Sequence, residues 1–326
     1  ALIAGCAGSG KTMLAVEKAR QLHEQGYNVL LTCFNSALAE DLAKRLPDIT
    51  VLHFHGLCRE VAKEVGFTVQ AVSDQQKYYD ETLPEMLLKA VDETGPMFDA
   101  IIVDEGQDFL ETYWVALASL LNEKEGIFYI FYDDNQNLYG GGASLNGIVD
   151  EEPFLLPENC RNTKAIHKVV NAFYSDQKRI VCNGPEGRTP EVHEYRESAD
   201  MLKGVQSILN KLVNEENVAS EDIVILTPHA QEKTSLKIGT RLGNFTLSDM
   251  PPQRRNEIQA TTIYKFKGLE RKVVIVAEVD DRFKYNPETL MYVSSSRART
   301  HLLFFVSQNA PIEIKSQIEA ACKPTR

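Results

Sequence analysis

Leu2-Ile3-Ala4-Gly5-Cys6-Ala7-Gly8-Ser9-Gly10-Lys11-Thr12-Met13-Leu14 runs from a short apolar strand through a glycine-rich turn into a helical stretch. Gly5 to Thr12 fits G-x-x-x-x-G-K-[ST], in the strand-to-helix setting that this pattern requires. Glycines let the backbone wrap close to phosphates with its N–H groups turned inward. The helix N-terminus adds a field that favours anions. Gly5, Gly8, Ser9, Gly10, Lys11 and Thr12 are the candidate nucleotide-binding residues: Lys11 to reach the β and γ phosphates, and the Thr12 hydroxyl to hold Mg²⁺. By itself the pattern specifies nucleotide binding and no reaction.

The rest of the first half keeps the same rhythm. Strands are predicted at 2–4, 28–33, 50–53, 100–104 and 127–132, with helices at 11–23, 36–46 and 112–121. Such alternation predicts an α/β fold with a mainly parallel sheet flanked by helices. The alternation lapses between Gly56 and Pro96, which reads as a small helical insertion at about 59–97. Gly140, Gly141, Gly142, Gly147 and Pro153 mark a break near residue 150. Helices then read at 163–174, 199–213 and 287–297, and strands at 223–226, 260–264, 273–277 and 302–306. Two domains are expected, 1–150 and 151–326, and Ala1 inside a strand suggests a piece of a longer protein.

The run Ala100-Ile101-Ile102-Val103 leads into Asp104-Glu105-Gly106-Gln107-Asp108-Phe109. Ligands bind at the C-terminal edge of parallel strands, so both carboxylates are delivered to the phosphates. Asp104 is placed for Mg²⁺, and Glu105 to orient and deprotonate an attacking water, a hydrolase arrangement. Asp108 reads equally well as part of a solvated loop.

Composition sets the outer limits. The chain has 326 residues, 43% hydrophobic and 25% charged, which excludes a disordered or collagen-like protein. No apolar run is long enough to span a bilayer and no secretory signal is seen, so a cytoplasmic protein with no membrane partner is expected. Six scattered cysteines without a C-x-x-C pair read as free thiols. The net charge of −11 predicts that any grip on nucleic acid is confined to a local basic track.

Further blocks follow in order: Thr32 with Asn35 and Ala37; Phe54-His55-Gly56; Asp104 to Phe109; Asp133-Asp134-Asn135-Gln136; Asn159-Cys160-Arg161-Asn162-Thr163; Thr262-Ile263-Tyr264-Lys265-Phe266-Lys267-Gly268-Leu269-Glu270; and Tyr292-Val293 through Arg297-Ala298. This series, spanning nearly the whole chain, resembles the UvrD/Rep branch of superfamily-one helicases. The resemblance implies two RecA-like domains that sandwich one ATP. It implies that Gln136 senses the γ-phosphate, that Arg161 and Arg297 stabilise the transferring phosphoryl charge, that Glu270 contacts the ribose beside Gly268, and that Gln107 couples ATP to the domain interface. The implied activity is an ATP-dependent translocase or helicase, a nucleic-acid-stimulated ATPase acting on single-stranded DNA with 3′-to-5′ polarity.

A single strand is gripped by aromatics beside a basic groove. Phe54, His55, Tyr139, Tyr264, Lys265 and Lys267 are the candidates, with Arg271 and Lys272 adding charge; core packing is the alternative for Phe54 and Tyr264. No residue reads a 2′-hydroxyl, so RNA stays open as the track. Trp114 reads as core, and His23, His167 and His229 as ordinary surface or satisfied residues.

Departures from the family pattern bear on function. Cys160 stands where the family stacks a tyrosine on adenine, and the segment that reads the adenine edge would precede Ala1. Gly141 and Gly142 replace a tryptophan and an arginine, and Cys33 with Phe34 displaces an aromatic. The interval from Arg161 to Thr262 is too short for the large accessory subdomain of UvrD and Rep. These features keep a second function open, a nucleotide-gated switch or sensor without unwinding. With DEGQDF and FYDDNQNLYG they look most like bacterial UvrD-like proteins with an N-terminal nuclease-related (NERD) domain, which would put a nuclease domain on the same parent chain.

Overall fold

The computed structural model describes residues 1–67, 74–122, 126–136, 152–174 and 180–324. Tyr139 and the glycines at 140–142 and 147 lie outside the described residues. The chain divides into two units, Ala1–Leu156 and Pro157–Arg326.

In the first unit β1 (Leu2–Gly5), α1 (Lys11–Glu24), β2 (Val29–Cys33), α2 (Ser36–Arg45) and β3 (Thr50–His53) follow the alternation read from the sequence. Helices α3 (Phe54–Glu64), α4 (Gln75–Lys77) and α5 (Leu83–Thr94) come next, α4 and α5 joined by a π-helical turn at Tyr78–Thr82. Then come β4 (Ala100–Asp104), α6 (Glu111–Ser119), β5 (Ile127–Tyr132) and β6 (Phe154–Leu156). The sheet order is β3-β2-β4-β5-β1-β6, with every pair parallel. Strand β6 pairs with β1 from Ile3↔Phe154 to Gly5↔Leu156, which carries the unit past residue 150.

Strands β2 and β4 are buried throughout and mostly apolar, Val29-Leu30-Leu31 and Ala100-Ile101-Ile102-Val103, as suits strands covered on both faces. Helix α1 turns Ala15, Val16, Ala19 and Leu22 inward. Helix α2 starts where the Asn35 side chain accepts from the N–H groups of Ala37 and Leu38, at 2.9 and 3.3 Å. The expected insertion is helical, but it shares its core with the sheet: Leu57, Val61, Leu83, Leu87 and Ala90 lie in one apolar cluster with Leu30, Ile101 and Val103. Trp114 belongs to the same cluster and packs on Phe109 at 4.9 Å.

The second unit contains β7 (Glu158–Asn159), α7 (Lys164–Ala172), β8 (Val181–Cys182), β9 (Glu191–Tyr195), α8 (Ser198–Asn210), β10 (Ile223–Thr227), β11 (Arg241–Leu242), β12 (Phe245–Ser248), β13 (Glu257–Thr262), β14 (Arg271–Val279), α9 (Pro287–Ser296), β15 (Ala298–Ser307) and α10 (Ile312–Cys322). Its main sheet runs β11-β12-β13-β10-β14-β15-β9, parallel except for the β11–β12 pair. Strand β9 reads Glu-Val-His-Glu-Tyr, too polar to register as an apolar run, because it closes the edge of the sheet. Its core is built on Ile223, Ile225, Ile258, Val273, Ile275 and Leu303, with α8 contributing Met201, Val205 and Leu209. No described helix is long and apolar enough to cross a membrane.

His55, at the start of α3, shows how tightly the first unit is packed. Its Nε2 lies 3.3 Å from the Tyr113 hydroxyl, which donates to Asp80 at 3.1 Å. Burial, with His53 and Arg59 nearby, lowers its pKa from 6.5 to about 4, against the pull of the Tyr79 backbone and Asp80. The folded unit excludes a proton that the unfolded chain accepts below its ordinary value. The contribution of this neutral histidine is therefore intact above pH 6.5 and lost as pH falls towards about 4. With unfolding followed by Trp114 fluorescence, the wild-type protein should lose about 3 kcal/mol relative to His55→Phe between about pH 7 and 4. A pH-independent difference would show that His55 is not held neutral.

Candidate nucleotide-binding site

Strand β1 delivers Gly5 to the sheet edge, and the chain turns through Cys6–Gly10 into α1. Gly10 occupies the N-cap of α1 with φ 90° and no side-chain cap, so the first N–H groups of the helix are left for a ligand. Lys11 is buried, and its ammonium donates to the carbonyls of Gly5 at 2.8 Å and Cys6 at 3.0 Å. It also lies 3.8 Å from the Asp133 carboxylate. A buried ammonium needs such partners because desolvation would otherwise expel its charge.

Thr12 follows on the first turn of α1, and its hydroxyl donates to Asp104 Oδ2 at 2.6 Å. Asp104 has no exposed surface. Burial and the adjacent Glu105 carboxylate push its pKa up to about 6, while the Thr12 hydrogen bond and Lys11 pull it down. Glu105 sits just past β4 in the left-handed region, φ 57° and ψ 41°, a conformation that a non-glycine residue holds only when its surroundings enforce it. Gln107 Nε2 donates to Glu105 Oε2 at 2.5 Å, and Gln107 Oε1 accepts the Asp133 N–H at 3.0 Å. Gln136 Nε2 donates to Asp133 Oδ2 at 2.7 Å. The structure thus brings Lys11, Thr12, Asp104, Glu105, Gln107 and Gln136 into one cluster. An alcohol and a carboxylate oxygen side by side are hard donors of the kind that suit Mg²⁺. Among the described residues no group of three or more His, Cys, Asp or Glu side chains is placed to hold a metal.

Asp133 was quoted within its motif block but given no role from the sequence, although it stands between Lys11 and Gln136. The signal was available: it ends the apolar strand Ile127–Tyr132 as Asp104 ends Ala100–Val103.

In the second unit Arg161 Nε pairs with Glu270 Oε2 at 2.6 Å, and its Nη1 donates to the Ser296 carbonyl at 3.4 Å. Arg299 reaches the other Glu270 oxygen at 3.5 Å. The turn that carries Arg161 is pinned by Asn159 Oδ1, which accepts from the N–H groups of Arg161 and Asn162 at 3.1 and 3.0 Å. Asn162 Nδ2 then donates to the carbonyls of Ser296 and Ala298, at 3.2 and 2.5 Å, on either side of Arg297. Arg297 is buried, with Nε on the Val293 carbonyl at 3.1 Å and Nη2 on Ser296 Oγ at 3.0 Å. Arg161, Glu270 and the turn bearing Arg297 therefore form one assembly. Gly268, beside Glu270, has φ 83°. Cys160 is exposed.

The described nucleic-acid candidates divide between the two units, Phe54 and His55 in the first and Tyr264, Lys265 and Lys267 in the second. Phe54 has no exposed surface and stacks on Tyr113 at 4.3 Å, so it takes the core-packing alternative and offers no face to a base here. His55 is buried beside Phe34, Tyr79 and Tyr113. Tyr264 is half-buried against Tyr285 at 5.3 Å, Lys265 is exposed and Lys267 is buried. Lys272 pairs with Asp222 at 2.7 Å and Arg271 with Gln259 at 3.0 Å. His229 is buried on Asp280 at 3.0 Å, a satisfied histidine.

Comparison with known proteins agrees with this arrangement. Residues 1–142 match a family described as AAA domain, and residues 257–305 match the UvrD-like helicase C-terminal domain. The solved structure of the PRRSV helicase shares the fold at 14% identity with a TM-score of 0.52, over 96% of this chain. This chain spans 53% of that one. No curated protein sequence matches it. Two RecA-like α/β units carrying these motifs in this order, with the match to the UvrD-like helicase C-terminal domain, support a UvrD/Rep-like superfamily-one helicase.

The loop geometry is testable. A Cβ on Gly10 would meet nothing within 4 Å, so alanine there suffers only from its positive φ. Gly10→Ala should destabilise the first unit by about 1–2 kcal/mol in Trp114-monitored unfolding. A loss well beyond that range would point to a steric clash.

Proposed function

We propose that this chain is an ATP-driven motor that translocates along single-stranded nucleic acid and separates or remodels strands. The observation that carries this reading is the 2.6 Å bond between Thr12 and Asp104 directly beside Glu105, within reach of the loop that bears Lys11. Lys11 and the uncapped N-terminus of α1 bind the phosphates. Glu105, held by Gln107, orients the attacking water and takes its proton as the new oxygen–phosphorus bond forms and the bond from the γ-phosphorus to the bridging oxygen breaks, ADP leaving with that oxygen. Thr12 and Asp104 would hold a Mg²⁺ ion, which would supply positive charge against the phosphates. Gln136 senses the γ-phosphate, and Arg161 and Arg297 supply guanidinium charge to the phosphoryl group during transfer. Gly268 and Glu270 serve the ribose.

DNA as the track, 3′-to-5′ stepping and a nuclease-related domain on the parent chain rest on the motif likeness. Tyr264, Lys265 and Tyr139 remain the proposed strand contacts. The burial of Phe54 and Lys267 favours a second reading, a switch whose conformation follows ATP without stepping. Steady-state hydrolysis with and without single-stranded DNA or RNA separates them. A motor should turn over at least about tenfold faster with strands present, whereas indifference to every strand would support the switch.

Lys11→Ala should abolish binding of a fluorescent ATP analogue. Glu105→Gln should bind it normally while turnover falls about a hundredfold or more. Retained hydrolysis in the Gln variant would remove Glu105 from the reaction. Arg297→Ala should lower kcat by about a hundredfold with little loss of affinity. Parallel losses in both would argue against a role confined to the transition state.

A further inference from the structure

Asp133 closes a chain of contacts that the roles assigned above do not use. Its Oδ2 faces the Lys11 ammonium at 3.8 Å and accepts from Gln136 Nε2 at 2.7 Å. Its Oδ1 accepts the Asn135 N–H at 3.1 Å, so the short turn at Asp134–Gln136 is wound onto the same carboxylate. Its own N–H is held by Gln107, whose other end holds Glu105. The side chain is almost wholly buried, which leaves its charge poorly screened by solvent.

Two opposing demands meet at this carboxylate. Lys11 is the cation for the β and γ phosphates, yet in this structure its donors are engaged by the Gly5 and Cys6 carbonyls, with Asp133 as the neighbouring anion. A polyphosphate arriving at the loop competes with Asp133 for that ammonium and is repelled by its charge. Oδ2 is shared between Lys11 and Gln136, so any movement of the ammonium towards phosphate alters the electrostatics of the bond that orients Gln136. The bonds at the Asp133 N–H carry any shift of the strand end on to Gln107 and Glu105.

We propose that Asp133 is a positioning residue that competes with the phosphates of ATP for Lys11 and couples that competition to the orientation of Gln136 and Glu105. It gives up nucleotide affinity in exchange for a site whose water-orienting groups respond to where Lys11 points. The proposal rests on the ATP-motor reading and concerns how that site is regulated. No covalent step is assigned to Asp133.

The test separates binding from turnover in the full-length protein. Asp133→Asn removes the competing charge and keeps an acceptor for Gln136. It should bind a fluorescent ATP analogue about five- to tenfold more tightly than wild type. Strand-stimulated kcat should fall about tenfold or more, with KM lowered. Asp133→Glu, which restores the charge, should return affinity towards the wild-type value. Gln136→Ala should lower kcat without tightening binding. Should the Asn variant not fold, as judged by Trp114 fluorescence, Asp133→Ser offers a hydroxyl acceptor and serves the same comparison. Affinity that is unchanged or weaker in the charge-removing variant, with kcat falling in parallel, overturns the proposal while leaving the motor reading intact. Failure of the wild-type protein to bind the analogue sinks both.

Discussion

A carboxylate sealed from water at the end of β4 depends on what the protein places against it, and Asp104 is held by a hydroxyl 92 positions earlier in the chain. Without Thr12 the desolvated charge would have only the backbone N–H of Glu105 and the more distant Lys11 to steady it. That single bond joins the first turn of α1 to the central strand. It therefore sets the position of the phosphate loop relative to Glu105, and with it the geometry of everything the loop can bind. The parallel sheet makes the meeting possible: strands β1, β4 and β5 run in one direction, so Gly5, Asp104 and the Asp133 segment emerge at the same edge.

The second unit solves a similar problem with amides. Asn159 and Asn162 bind each other at 2.7 Å and then fasten the Arg161 turn to the strand following α9. The same unit buries a carboxylate, Glu278, which adopts φ 57° and accepts from Thr227 and Thr234, each at 2.5 Å, and from the Ser235 N–H at 2.7 Å. These bonds fasten the chain after β10 to the end of β14. In both units, buried polar groups at strand ends hold irregular segments that apolar packing alone would leave under-determined.

Much of this was legible beforehand where local chemistry is self-sufficient. Strands β3, β4 and β5 matched their predicted limits because each is a bounded apolar or β-branched run. The phosphate loop was legible because only glycine adopts φ 90° at the cap of α1 at little cost. Strand β9 was not, since an edge position permits glutamate and histidine. Strand β6 was missed because three residues beyond a glycine-rich stretch carry no periodicity. Phe54 was balanced between a base and the core, a choice made by Tyr113 and Phe109, far along the chain.

The sequence by itself determined the α/β architecture, the glycine loop with Lys11 and Thr12, and the carboxylate step after β4, since each depends on residues close to one another in the chain. Only the tertiary structure decided that Asp133 shares its oxygen between Lys11 and Gln136, that Glu270 lies between Arg161 and Arg299, and that Phe54 and Lys267 are buried. The physical reason is that charge pairing and burial are properties of groups brought together from distant positions, and no local pattern of residue types records which partner will arrive.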